Sequence, residues 1–240
     1  MATASRPYTP RLVADLPIGL SDQLGERLSR VLDVEGKIPR ALDSLGPVAG
    51  RDVILLDGAD GIRATQLREL GANLLLVDAD ASGFAAPAAS ADVVIGMWSA
   101  FRGKAEAEIA ASRKALRPGG RLLVVHDYGR DDVSHLFGDR PDYGSWSRRS
   151  GPFMSGGFKL RVVHCFWTFD TMEDCHEFLT TAFADAGRTV AADLKRPRLS
   201  YNVAIYHRSF EGAPTVLAPA SGGSAGAESP GAIGAAKAAG

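Results

Sequence analysis

Apolar runs punctuate the chain at Val53–Leu56, Leu74–Val77, Val93–Ile95 and Leu122–Val125. None alternates with polar residues, so each predicts a strand buried on both faces. Between them lie stretches of helical spacing. Ile62, Leu67 and Leu70 share one face, with Gly71 as a stop, and Lys104–Leu116 carries Ala105, Ile109, Ala110 and Leu116. Strands alternating with helices imply a doubly wound, mostly parallel α/β sheet with helices on both faces. Upstream, residues 1–20 are irregular. Ser21 then caps a helix over Asp22–Val34, and a second helix covers Ile38–Leu45, with Pro39 in its first turn.

The later pattern differs. Residues 79–91 are rich in small residues and predict a loop or a single turn. Residues 129–157 mix glycine, arginine and aromatics, as a binding loop does. Phe158–Phe169 reads as an aromatic strand. Thr171 and Asp174 have capping-box spacing, opening a helix to about Ala186 with Gly187 as its stop. Thr189–Leu194 and Tyr201–His207 then predict an antiparallel strand pair at the C-terminal end.

Two predicted strands end in acids. Asp57 closes the first and is followed by Gly58-Ala59-Asp60-Gly61; Asp78 closes the second, about twenty residues on. A small-residue turn between a strand and a helix leaves main-chain N–H groups open to a ligand. An acid at that spacing suits ribose hydroxyls.

Composition narrows the classes. The 240 residues hold 27 basic and 28 acidic side chains, a net charge of −1. That balance argues against non-specific nucleic-acid or anionic-membrane binding. Arginines interleaved with aromatics in 129–157 also suit RNA bases, but no nucleic-acid module accompanies them. Cys165 and Cys175 have no metal-ligand spacing and read as buried thiols in a reducing compartment. The N-terminus lacks a secretory pattern and no apolar run approaches about eighteen residues, so the cytoplasm is the expected location. From residue 211 the composition turns to Ala, Gly, Ser and Pro, and 211–240 is expected to be a disordered tail. Residues 1–210 form the domain, with N-terminal helices at 1–46 and an insertion at 129–169 that serves as a lid or a homodimer contact.

Together these segments resemble class I S-adenosylmethionine-dependent methyltransferases of the ubiquinone and menaquinone biosynthesis type. The resemblance spans residues 34–126, and 170–210 more loosely. Val53–Gly61 stands where the family has its glycine-rich first motif, and Gly71–Asp78 resembles its second strand. Ser90–Gly96 is similar to the strand whose end borders adenine and substrate. Leu116-Arg117-Pro118-Gly119-Gly120-Arg121-Leu122 is the most specific piece. The first motif departs from three alternating glycines, reading Ala59, Gly61 and Arg63, and a Cβ at Ala59 adds bulk where main chain approaches the cofactor.

The resemblance implies S-adenosylmethionine as cofactor, a small molecule as methyl acceptor and a Rossmann-like methyltransferase fold. Asp57, Gly58, Ala59, Gly61, Asp78 and Met97 would bind the cofactor. His126, at the end of its strand beside Asp127 and Tyr128, would be the base for a weakly acidic acceptor. Trp98, Trp146 and Trp167 suit the wall of an apolar pocket and, equally, core packing. The degenerate glycine motif also admits a catalytically inactive, methyltransferase-like binding or scaffold protein. A nicotinamide oxidoreductase is the third reading, but the turn lacks the glycines a pyrophosphate needs.

Overall fold

The computed structural model describes residues 16–57, 61–80, 83–98, 101, 105–138 and 146–211. Gly58, Ala59, residues 1–15 and the tail from 212 lie outside the described residues, as do 139–145 of the glycine-rich segment. Among the described residues there are eight strands: β1 (Asp52–Leu56), β2 (Asn73–Val77), β3 (Ala79–Asp80), β4 (Gly83–Phe84), β5 (Ala91–Met97), β6 (Leu116–Asp127), β7 (Lys159–Thr168) and β8 (Arg198–Ser209). Seven helices accompany them among the described residues: α1 (Asp22–Val31), α2 (Lys37–Leu45), α3 (Ile62–Glu69), α4 (Ala105–Ala115), α5 (Asp132–Phe137), α6 (Pro152–Ser155) and α7 (Met172–Asp193).

Six strands form one sheet in the order β2-β1-β5-β6-β8-β7. β1 runs parallel to β2 on one side and to β5 on the other, and β5 is parallel to β6. β8 is antiparallel to both β6 and β7. This is the doubly wound architecture with an antiparallel end that the apolar runs predict. Val53, Leu55, Ile95, Leu123 and Val125 face one core, shared with α1, α2, α3 and α7. Ile54, Leu56, Val94, Leu122 and Val124 face the other, shared with α4 and α6. Burial on both faces is the reason these strands read as continuous apolar runs.

The Arg117-Pro118-Gly119-Gly120 turn leads into the regular part of β6. A Cβ at Gly120 would stand 2.8 Å from the Arg117 carbonyl oxygen and 3.1 Å from that of Asp92, so only glycine fits there. Arg117 itself bridges the strand starts, donating to Asp92 at 2.9 Å and to Asp52 at 2.7 Å.

The structure corrects three expectations. β2 is an edge strand with Leu75 51% exposed, so its apolar run is not buried on both faces. Ala79–Asp80 and Gly83–Phe84 pair as short antiparallel strands, β3 with β4, where a loop or a single turn is expected. Thr189–Leu194 is not a strand. The helix breaks at Ala184 (φ 47°, ψ −120°) and resumes to Asp193, packing Gly187 against Leu179. The antiparallel partner of β8 is therefore β7, with Val163 opposite Val203 and Cys165 opposite Tyr201. Thr171 does cap α7, its hydroxyl accepting the Asp174 N–H at 3.0 Å.

Candidate functional site at the carboxyl strand ends

The chain reverses its winding direction at β1, stepping to β2 and then back across to β5. A crevice outside the carboxyl ends at such a point is where doubly wound sheets take ligands. Asp57 stands there, half-buried and in the left-handed region at φ 53°. Its N–H donates to the Val77 carbonyl at 2.8 Å. Its carboxylate accepts the Ala79 N–H at 2.7 Å. Both bonds grip the end of β2 on either side of Asp78, whose side chain is exposed. Asp57 is thus a clamp between strands, and Asp78 is the acid presented to solvent.

Gly61 is the N-cap of α3, in extended conformation, and the first turn of α3 carries no acidic residue. Among the described residues no acid faces the positive end of this helix. Arg63, in that turn, is 1% exposed. Its Nη2 donates to the Leu32 carbonyl at 3.0 Å and its Nη1 to Gln66 at 2.8 Å. The side chain that replaces a glycine thus ties the end of α1 to the start of α3.

Met97 ends β5 at 1% exposure and packs in the core. Trp98 follows, fully buried at φ 22°, and its indole Nε1 donates to the Tyr201 hydroxyl at 2.9 Å. That hydroxyl donates in turn to Asp127. The chain links the ends of β5, β6 and β8. Burial first, and then the Asp127 carboxylate, push the Tyr201 hydroxyl well above its ordinary value, so it stays protonated and keeps donating.

His126 occupies the other face. It is 0% exposed, its ring 4.2 Å from Trp146 in edge geometry and 6.2 Å from Phe153. Phe153 stacks on Tyr206 at 4.5 Å. Two-residue strand periodicity puts His126 and Asp127 on opposite faces, so adjacency in sequence does not make them a pair. Below them, Asp131 accepts the N–H groups of Ser134 and Asn202 at 2.7 Å each, and Asp132 accepts that of Ser200 at 2.8 Å. These carboxylates fasten α5 to the start of β8.

The structure thus gathers Asp57, Gly61, Asp78 and Met97 at the ends of β1, β2 and β5, and sets His126 further along the sheet. Sequence reasoning missed Tyr201 and the Trp98–Tyr201–Asp127 chain. The only signal was a tyrosine opening a late strand, and its partners lie 103 and 74 residues away.

No protein-family model and no curated protein matches the sequence. Solved structures of similar shape are found. One is a candidate type II methyltransferase from Anaeromyxobacter dehalogenans, 18% identical over 73% of this chain and 96% of its own, with a TM-score of 0.48. The YcgJ protein from Bacillus subtilis is 11% identical over 73% and 98%, with a TM-score of 0.46. A geranyl diphosphate methyltransferase in complex with S-adenosylmethionine is 18% identical over 77% and 88%, with a TM-score of 0.40. The strand order, with β8 antiparallel between β6 and β7, is that of a doubly wound, Rossmann-like sheet.

Proposed function

We propose that the chain is an S-adenosylmethionine-dependent methyltransferase acting on a small molecule. The observation that carries this reading is the Asp57 clamp, which sets the exposed Asp78 carboxylate beside the winding reversal of the sheet. The chemistry of this set fits the cofactor. A carboxylate accepts from both ribose hydroxyls. The start of α3 at Gly61, without a side-chain cap among the described residues, suits the cofactor's own carboxylate. Gly58 and Ala59 would line the turn between them. Met97 would border the adenine through main chain, because its thioether belongs to the core.

When bound, the cofactor supplies a methyl group already activated by a sulfonium charge. The protein's part is to hold the acceptor close and in line with it. Trp98, with its indole fixed by Tyr201, stiffens the strand ends beneath the site. His126 would accept the acceptor's proton, reached as the acceptor takes the place of the Trp146 edge. The aromatic surroundings favour an apolar or aromatic acceptor.

Calorimetric titration with S-adenosylmethionine and S-adenosylhomocysteine tests the reading. The expected result is binding of both, weakened about tenfold in Asp78→Ala, the equivalent of 1.4 kcal/mol. No heat and no thermal shift at millimolar ligand would sink it and leave the binding or scaffold role. His126→Asn is expected to lower kcat while cofactor binding persists.

A further inference from the structure

The last strand of the sheet carries a feature that methyl transfer does not use. β7 is terminal, and within the sheet its only neighbour is β8. Near its end the outer edge is closed, since Leu32 forms a bridge with Trp167 and the Asp33 N–H donates to the Phe166 carbonyl at 2.9 Å. Because the Phe166 main chain points outward, strand alternation turns the main chain of Val162 and His164 outward as well. Along Lys159–His164 no strand among the described residues pairs with that edge.

A cavity of about 450 Å³ lies there, between β7 and α2. Lys37, Arg40 and Ser44 come from the helix, and Arg161 and His164 from the strand. Arg161 shares its strand face with Val163 and Cys165, which belong to the core beneath α2, so its side chain rises on the side of Lys37 and Arg40. Arg40 and Arg161 are both exposed, and neither forms a hydrogen bond or ion pair among the described residues. The nearby acids are engaged. Glu35 pairs with Lys37 at 2.7 Å, and Asp33 caps the Lys37 and Ile38 N–H groups at 2.9 and 2.7 Å. The positive field extends down the strand: burial, then Lys159, Arg121 and Arg161, hold His207 below its ordinary value.

We propose that this edge binds an extended acidic segment of a partner protein, added as a strand to β7, with alternate carboxylates meeting Arg40, Arg161 and Lys159. An open strand edge offers main-chain hydrogen bonds that give affinity, and flanking side chains give selectivity. A nucleic acid would use the cations and leave the strand edge idle, so the combination favours a peptide. The protein otherwise breaks a rule of edge protection only in part: the edge is charged, which repels a second copy of itself and welcomes an opposite charge.

The test uses the full chain and a fluorescein-labelled peptide of alternating glutamate and valine, followed by fluorescence anisotropy. Binding is expected, weakened about tenfold or more in the R40E/R161E double variant and again as salt rises from 50 to roughly 500 mM, where charge attraction is screened. Replacing the valines by proline removes every second N–H group and N-methylating the glutamates removes the rest, so this proline peptide is expected not to bind the unaltered chain. Equal binding of the proline peptide would reduce the site to bare charge and overturn the proposal. So would equal binding of a glutamate-to-lysine peptide, indifference to the double variant, displacement by oligouridine at lower concentration, or no binding at about 1 mM peptide. Cofactor binding by the double variant is expected to be unchanged, which separates this site from the strand-end crevice.

Discussion

The Asp57 carboxylate accepts the main-chain N–H of Ala79 at 2.7 Å, so the end of the first strand holds the end of the second. Asp57 does this from a left-handed conformation, φ 53°, that aspartate and asparagine tolerate better than other side chains. Asp57→Ala removes a charge-assisted bond and leaves a Cβ residue in that conformation. It is expected to cost about 2–3 kcal/mol in urea denaturation. Asp57→Asn keeps an acceptor oxygen and is expected to lose less than half as much. Equal losses in the two variants would show that the carboxylate charge, and neither an acceptor oxygen nor the left-handed backbone, carries the effect.

Arg63 shows how a departure from a family pattern acquires a structural role. Its buried guanidinium satisfies the Leu32 carbonyl at the end of α1. Arg63→Met has similar bulk but leaves that carbonyl without its donor. The expected cost is about 2 kcal/mol in chemical denaturation. Amide exchange should accelerate across α1 before the rest of the sheet, since the lost bond anchors that helix. Uniform acceleration everywhere would contradict an anchoring role. Lysine cannot replace it, because one ammonium cannot reach both Leu32 and Gln66 with the planar fork of arginine.

The central strands were legible because burial on both faces erases alternation, leaving Val53–Leu56 and Leu122–Val125 as unbroken apolar runs. The capping of α7 was legible because Thr171 and Asp174 act over three residues. The far end was not. Of Thr189–Leu194 only Thr189 and Val190 favour a strand, and the segment continues a helix that breaks at Ala184 and packs Gly187 against Leu179. Of the candidate site, Asp57 and Asp78 could be read from strand ends. Tyr201 could not, because a hydroxyl that joins three strands is defined only once the sheet has closed.

His207 links stability to pH. It lies opposite Lys159 and Leu123 in the sheet, and burial, followed by Lys159, Arg121 and Arg161, depresses its pKa below 6.5. Between that depressed value and 6.5 the unfolded chain binds more protons than the folded one. The contribution of neutral His207 is therefore complete above pH 6.5 and declines as pH falls through this window. Denaturation midpoints measured from pH 7.5 downward should show the decline in the wild type and a shallower one in His207→Gln. Arg161→Gln removes one of the repelling cations, so nuclear magnetic resonance should find the His207 titration moved upward. No movement would mean that the cations of β7 do not reach it.

Trp146 and His126 supply the sharpest expectation. The imidazole is fully buried at the carboxyl end of β6, and the indole edge lies 4.2 Å from it. Trp146 is only half-buried, so it stands between the histidine and solvent. Truncation to alanine removes an aromatic pair worth about 0.5–1.5 kcal/mol together with part of the indole's buried area. The expected total is about 2 kcal/mol, smaller than for a core tryptophan because part of the ring already meets water. The exposure of His126 should change far more than the stability. Diethyl pyrocarbonate should modify His126 slowly in the wild type and quickly in Trp146→Ala, read peptide by peptide in a mass spectrometer. Phenylalanine at 146 keeps an edge over the imidazole and should restore slow modification. If His126 reacts as slowly in Trp146→Ala as in the wild type, the indole is not its cover, and an acceptor would have to reach the imidazole past Phe153 instead.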